Sequence, residues 1–228
     1  MIKAVVFDLD NTLIDFMRMK KESVRAAAEA MIDAGLEMDR EEVEKKIFEI
    51  YTEEGIEYQY VFDRFLEKEF GHVSPRIKAA GIVAYRKAKE GSIALYPHVM
   101  QTLLELLKRG VKLAVITDAP QLQAWLRLCY FQLQNIFDVV VTYEDTFEKK
   151  PSIKPFKLVL EKLGVKPEEA IMVGDWEERD VVGGKLVGMK TVFARYGDLF
   201  NVKETGADYE INDIRELIGF LERANRQI

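Results

Sequence analysis

The sequence predicts an α/β fold: an open parallel sheet flanked by helices and interrupted after its first strand by an all-helical insert. Three observations carry this. Short, continuous apolar runs rich in β-branched residues recur along the chain, helical apolar stripes separate them, and one long stretch near the N-terminus has stripes but no strand-like run.

The elements follow in order. Ile2 to Leu9 (IKAVVFDL) reads as a strand buried on both faces. From about Ile14 to Gly91 only helical stripes occur: Val24, Ala27, Ala28 and Met31; Val43, Ile47, Ile50 and Tyr51; Val61, Phe62, Phe65 and Leu66; then Ile77, Ala80 and Ala84, punctuated by Gly35, Gly55, Gly71 and Gly91. Pro97 and Gly110 bracket an amphipathic helix carrying Met100, Leu103, Leu104 and Leu107. Strand runs then return at Val111 to Thr117 (VKLAVIT), Phe137 to Thr142 (FDVVVT) and Ala170 to Gly174 (AIMVG), with weaker ones at Lys190 to Ala194 and Asp208 to Ile211. A second helix, Phe156 to Leu163, stops at Gly164. Strands alternating with helices argue for a parallel sheet. The expected division is therefore a discontinuous α/β core, residues 1–14 and 94–228, around a helical domain of residues 15–93.

Composition limits the chemistry. The 228 residues make one large domain or two small ones, and 48% apolar with 32% charged residues excludes disorder. Lys and Arg number 33 against 39 Asp and Glu, a net charge of −6 with no basic block, which argues against nucleic acid as a partner. One cysteine, Cys129, permits no internal disulfide and points to the cytoplasm. Two histidines, His72 and His98, are too few for a Cys/His zinc site and speak against a His-based triad. No run approaches the ~18 apolar residues of a membrane span, and Ala4 to Phe7 is too short for a secretion signal. Nothing separates a monomer from a homodimer. Carboxylates, lysines, hydroxyls and a hard metal remain as the means of catalysis.

Such groups stand at the ends of the strand runs, where ligands bind in open parallel sheets. The first run ends Asp8-Leu9-Asp10-Asn11-Thr12, and alternation puts Asp8 and Asp10 on one side. Two neighbouring carboxylates repel unless a shared proton or a cation such as Mg²⁺ compensates, although Asp10-Asn11 is also an ordinary turn pair. Asp175 ends the AIMVG run with Asp180 five residues on; alone, they read as a helix cap and a surface acid. Thr117 ends the second run, and Lys149-Lys150-Pro151 precedes a helix. Neither is distinctive by itself.

Taken together, D-x-D-x-T, a strand-terminal Thr, Lys-Pro before a helix, and G-D-x-x-x-x-D occur in the order that resembles the haloacid dehalogenase (HAD) superfamily of aspartate-nucleophile hydrolases. The resemblance covers essentially the whole chain, and the insert is similar to the C1-type cap of the phosphatase-like subfamily. It implies a Rossmann-like three-layer core with a parallel sheet, an inserted all-helical cap, and a Mg²⁺-dependent phosphohydrolase acting on a small phosphorylated metabolite. On these positions it implies Asp8 as nucleophile and Asp10 as general acid and base. It implies a metal held by Asp8, the backbone carbonyl of Asp10, and Asp175, with Asp180 supporting it from further out. Thr117 would bind the phosphoryl group, and Lys150 would offset its charge, with Lys154 as the other candidate lysine. Asp118 departs from the small or amide residue more usual after the threonine. Asp10 favours phosphate esters over carbon–halogen bonds, because a halide leaves without a proton. A phosphomutase and a non-catalytic binding domain are the competing readings. In the insert, Asp15, Phe16, Arg18 and Lys20 are candidates to face the site or to serve as hinge and helix surface, and Tyr51, Tyr58, Tyr60, Phe62 and Phe65 are expected mainly in its core.

Overall fold

Six short strands form one sheet, all parallel, in the computed structural model, which describes residues 1–226. They are β1 (Ala4–Phe7), β2 (Lys112–Ile116), β3 (Val139–Val141), β4 (Ala170–Gly174), β5 (Lys190–Ala194) and β6 (Tyr209–Ile211). Their order is β3-β2-β1-β4-β5-β6. The register sets Val5 beside Leu113 on one side and Ile171 on the other. The chain therefore builds outward from β1 in one direction and then resumes from β1 in the other. The gap between β1 and β4 is the place where strand order reverses, and a crevice opens there at the carboxyl ends.

The chain divides into two compact units: Met1–Asp15 with the segment from Leu95 onward, and Phe16–Ala94. Four helices make up the second unit: α1 (Phe16–Asp33), α2 (Arg40–Glu54), α3 (Val61–Phe70) and α4 (Pro75–Ser92). Its core joins Val24, Ala27, Ala28 and Met31 to Ile47, Ile50, Phe65 and Leu66, which are the residues of the helical stripes. Helix α4 approaches α1 closely because Gly81 lies against Met31, where a β-carbon would collide with the thioether. Within this unit Lys20 is buried, its ammonium 4.0 Å from the centre of the Tyr51 ring and 5.5 Å from that of Tyr85. Tyr51, Phe62 and Phe65 are buried, whereas Tyr60 is exposed.

The sheet unit carries α5 (Val99–Lys108), α6 (Gln121–Tyr130), the single turn α7 (Tyr143–Thr146), α8 (Ile153–Leu163), α9 (Val182–Val187) and α10 (Glu216–Arg226). On one face Val6, Ala114, Ile116 and Met172 meet Phe156, Val159 and Leu163 of α8. The residues that alternate with them, among them Val5, Leu113 and Val173, point to the other face, where α5 packs on β2 and α10 on α5. The central strands β1 and β4 are buried on both faces, as their unbroken apolar runs require, whereas the edge strands β3 and β6 are partly exposed. Helix α8 starts three residues earlier than its apolar pattern, because Ser152 accepts a hydrogen bond from the Lys154 N–H and Pro155 is tolerated in a first turn. Ile14 and Leu95 pair as an isolated antiparallel bridge, and the Tyr96 N–H donates to the Leu13 carbonyl at 2.9 Å, so the chain leaves and re-enters the sheet unit at one point.

Candidate active site

Four segments converge on the crevice beyond β1 and β4. Asp8 prolongs β1, its N–H donating to the Val173 carbonyl at 2.8 Å. The backbone then turns sharply: Asn11 takes a left-handed conformation, φ 61°, which asparagine tolerates better than most residues. The turn is held from below. Thr12 donates its hydroxyl to Asp175 Oδ1 at 2.8 Å, and the Tyr196 hydroxyl donates to the Thr12 carbonyl at 2.9 Å. Gly197 passes so close to the Asn11 carbonyl that a β-carbon there would overlap it.

Asp175 follows β4 directly. It does not cap the next helix; its carboxylate is engaged by Thr12, while the Trp176 N–H is capped instead by Asp180 Oδ2 at 3.1 Å. Asp180 sits in a wide π-type turn, Glu177–Val181, which swings its side chain back beneath the strand end. Gly174 leaves the room for it, since a β-carbon on Gly174 would strike the Asp180 carboxylate. Gly174→Ala is therefore expected to displace Asp180 and lower turnover about 10- to 100-fold, the scale that small misplacements cost. Steady-state kinetics would check this, and turnover within twofold of wild type would refute it.

One lysine ties these groups together. Lys150 is buried, and its ammonium donates to Asp8 Oδ1 at 2.5 Å and to Asp180 Oδ1 at 2.6 Å. Lys154, the other candidate, lies on the surface against Glu148. Thr117, at the end of β2, is buried and accepts a hydrogen bond from the Ala119 N–H at 3.1 Å. Asp10 stands apart from the Lys150 cluster. Its Oδ2 accepts from Arg127 Nη1 of α6 at 2.9 Å.

Carboxylate oxygens of Asp8, Asp175 and Asp180 lie within 4.8 Å of one another. Burial and mutual repulsion make that arrangement costly. Burial pushes Asp8 up to about 7, with Asp180 and Asp10 adding to the rise and Lys150 opposing it. Asp175 is also raised, by burial and then by Asp8 and Asp180. Asp180 is raised by burial despite Lys150. Burial works against the charge of Lys150, yet Asp180, Asp8 and Asp118 outweigh it, and its pKa stands above the normal value. The two ends of the Lys150–Asp8 pair thus shift in ways that a simple ion pair would not give. A single ammonium serves several carboxylates, so it gains fully while they share it. A buried all-oxygen cluster with surplus negative charge is the donor set a hard divalent cation takes.

Several contributors lie outside the sequence motifs. Asp118 accepts from the Lys150 N–H through Oδ1 and from Arg179 Nη1 through Oδ2, both at 3.0 Å, so the acid at this departure from the pattern braces the lysine loop against the turn after β4. Arg179 in turn stacks 3.6 Å from the Trp176 ring centre, and Trp176 packs on Phe200. Tyr196 is a further support, through the Thr12 carbonyl, and Arg127 a further contact to Asp10. Arg127 alone had a local signal: an arginine spaced with Ala124 and Leu128 on the inward face of a helix.

A parallel sheet with buried acids at its strand-order reversal, bridged by a buried lysine, defines a hydrolase core of the acid-and-metal kind. The chain belongs to the haloacid dehalogenase-like hydrolase family, whose profile matches residues 5–194. It is 34% identical over 227 residues to glyceraldehyde 3-phosphate phosphatase of Methanocaldococcus jannaschii, covering 99% of this chain and 100% of that protein. It is 36% identical over 227 residues to the Pyrococcus furiosus protein of the same name, covering 98% and 95%. The crystal structure of a HAD phosphatase from Thermococcus onnurineus superposes with a TM-score of 0.70 at 30% identity, covering 96% of this chain and 98% of that one. The chain is an enzyme, a phosphatase of this family. No described helix is long and apolar enough to cross a membrane.

Proposed function

We propose that this phosphatase is Mg²⁺-dependent and removes phosphate from a small phosphorylated aldehyde or sugar, with glyceraldehyde 3-phosphate as the leading candidate. The observation that carries the reading is the buried Lys150 ammonium shared by Asp8 and Asp180 beside Asp175. The substrate class rests on the full-length relatives, which act on that aldehyde phosphate.

In this reading one Asp8 oxygen attacks phosphorus, and the ester P–O bond breaks with its electron pair on the leaving oxygen. Asp10 gives that oxygen a proton, so a neutral alcohol departs. Water then attacks the aspartyl-phosphate, Asp10 takes its proton, and phosphate leaves with the Asp8 carboxylate restored. Lys150 neutralises charge on the nucleophile and on the phosphoryl oxygens. Thr117 uses its oxygen to accept from Ala119 and its hydroxyl proton to donate to a phosphoryl oxygen. Asp8, the Asp10 carbonyl and Asp175 would hold Mg²⁺, with Asp180 in support. When bound, the ion lets a carboxylate approach an anionic phosphate by cancelling repulsion. The helical unit Phe16–Ala94 serves as the cap that selects the substrate, and the free thiol of Cys129 suits a reducing cytoplasm.

The test is phosphate release from a panel of glyceraldehyde 3-phosphate, glycerol 3-phosphate, phosphoglycolate, ribulose 1,5-bisphosphate and an aryl phosphate, with Mg²⁺ and with chelator. The expected result is metal-dependent release, with the highest kcat/KM for the three-carbon aldehyde. No metal-dependent release from any member would overturn the phosphatase reading. A preference for another ester would replace the substrate alone.

A further inference from the structure

Helix α6 is turned inside out. Its exposed side carries Leu122, 68% exposed, Leu126, 53% exposed, and Trp125, while its buried side holds Ala124, Leu128 and the guanidinium of Arg127, 3% exposed. A helix that served only to cover the sheet would place leucines inward and arginine outward. Burying a guanidinium is costly unless it is paired and hydrogen-bonded. One such partner is Asp10, through Nη1 and Oδ2 at 2.9 Å.

We propose that Arg127 is a positioning residue that fixes the Asp10 carboxyl for proton transfer to the leaving oxygen. The inference rests on the reading of Asp10 as the general acid. Asp10 lies on a turn beyond the end of β1, and two side-chain torsions separate its carboxyl from the backbone. A charge-assisted hydrogen bond from a guanidinium fixes where the Oδ2 of that carboxyl lies, and with it the torsion that aims the group. Because α6 is anchored in the sheet unit through Ala124 and Leu128, the constraint reaches Asp10 from a rigid element and not from its own loop.

Leaving-group dependence separates this role from a structural one. An alkoxide needs a proton to depart, whereas 2,4-dinitrophenolate does not. The value of kcat/KM reports steps only through ester cleavage, and the ratio of its values for two substrates is unaffected by the fraction of enzyme that is folded. For Arg127→Met we expect kcat/KM on glycerol 3-phosphate to fall by about 10²-fold or more, and on 2,4-dinitrophenyl phosphate by less than about fivefold, the asymmetry that loss of a placed acid produces. Asp10→Asn should show the same asymmetry. Adding Arg127→Met to Asp10→Asn should cost less than about twofold more, since both act on one proton transfer. Arg127→Lys should recover part of the alkyl phosphate activity. Equal losses on both substrates in Arg127→Met, or losses that multiply with those of Asp10→Asn, would overturn the proposal. Equal losses in Asp10→Asn would overturn the acid assignment and the proposal with it, while a wild type inactive with Mg²⁺ on these two esters and on every ester of the panel above would overturn the phosphatase reading itself.

Discussion

Replacing Asp8 by asparagine is expected to lower turnover by on the order of 10⁴-fold or more while leaving the fold in place, as for other nucleophiles that act as part of a unit. The side chain keeps its size, and its amide oxygen can still accept from Lys150, so packing at the end of β1 is undisturbed. Lys150 also retains Asp180 at 2.6 Å and is not left as an unpaired buried cation. What disappears is the anionic oxygen that forms the bond to phosphorus, and nothing nearby replaces it: Asp175 is held by Thr12 and Asp180 by Lys150 and the Trp176 N–H. Substitution also removes one of three crowded charges, so the thermal midpoint without metal should hold or rise. Phosphate release together with a melting curve decides the matter. Activity above about one per cent of wild type would mean that the nucleophile lies elsewhere.

Removing Mg²⁺ is expected to abolish turnover and to lower stability, more so at alkaline than at acid pH. The sign follows from the direction of the carboxyl shifts. Asp8 rises from its usual 3.8 to about 7 on folding. Below about pH 4 it is protonated in both folded and unfolded chains and contributes nothing. As pH climbs through the window from about 4 to 7, the unfolded chain ionises while the folded one resists, so stability falls; above 7 the cost is constant. Asp175 and Asp180 shift in the same direction. A cation that binds the ionised cluster cancels that penalty but must displace protons at low pH. At 100 times its Kd, such a ligand contributes about 2.7 kcal/mol, on the order of 5–10 °C in Tm for a chain of this size. Melting curves at pH 5 and pH 8, each with Mg²⁺ and with chelator, should show the larger metal effect at pH 8. An equal shift at both values would sever the link between the metal and these acids.

Much of the fold was legible because it depends on local pattern. The apolar runs that become β1 to β6 and the stripes that become the core of the helical unit are statements about which residues avoid water, and each is visible within ten residues. The acids at the strand ends were legible for a related reason: in a parallel sheet, all strand ends of one kind lie on one side. What the pattern lacked is whatever is decided between distant segments. Thr12 stands in the first motif, but nothing near it names its partner, Asp175, 163 residues away. Asp118 looks like a stray charge, yet its two oxygens serve a backbone N–H and a guanidinium on different loops. Choosing between Lys150 and Lys154 needed the helix start at Ile153, which leaves the first lysine in the loop facing the strand ends and turns the second outward. Arg127 was missed although its signal was present, because helical periodicity is normally read for where leucines fall and not for a charge in their place.

The bond between Lys150 and Asp8 spans 142 positions along the chain, and that between Thr12 and Asp175 spans 163. The helices of Phe16–Ala94, by contrast, pack within one uninterrupted stretch of chain, where Gly81 of α4 lies against Met31 of α1. During synthesis, segments of local contact form first, and long-range strand pairing waits for its partners to emerge. The insert can thus close on itself while β1, all four of its residues apolar, remains unpaired until β2 and β4 arrive. Competence for catalysis comes last in the order of folding: no partial chain ending before Asp175 holds more than a fragment of the site. An enzyme built this way is silent until β4 and the turn after it are in place, and its first apolar strand is the one that must wait longest for its partners.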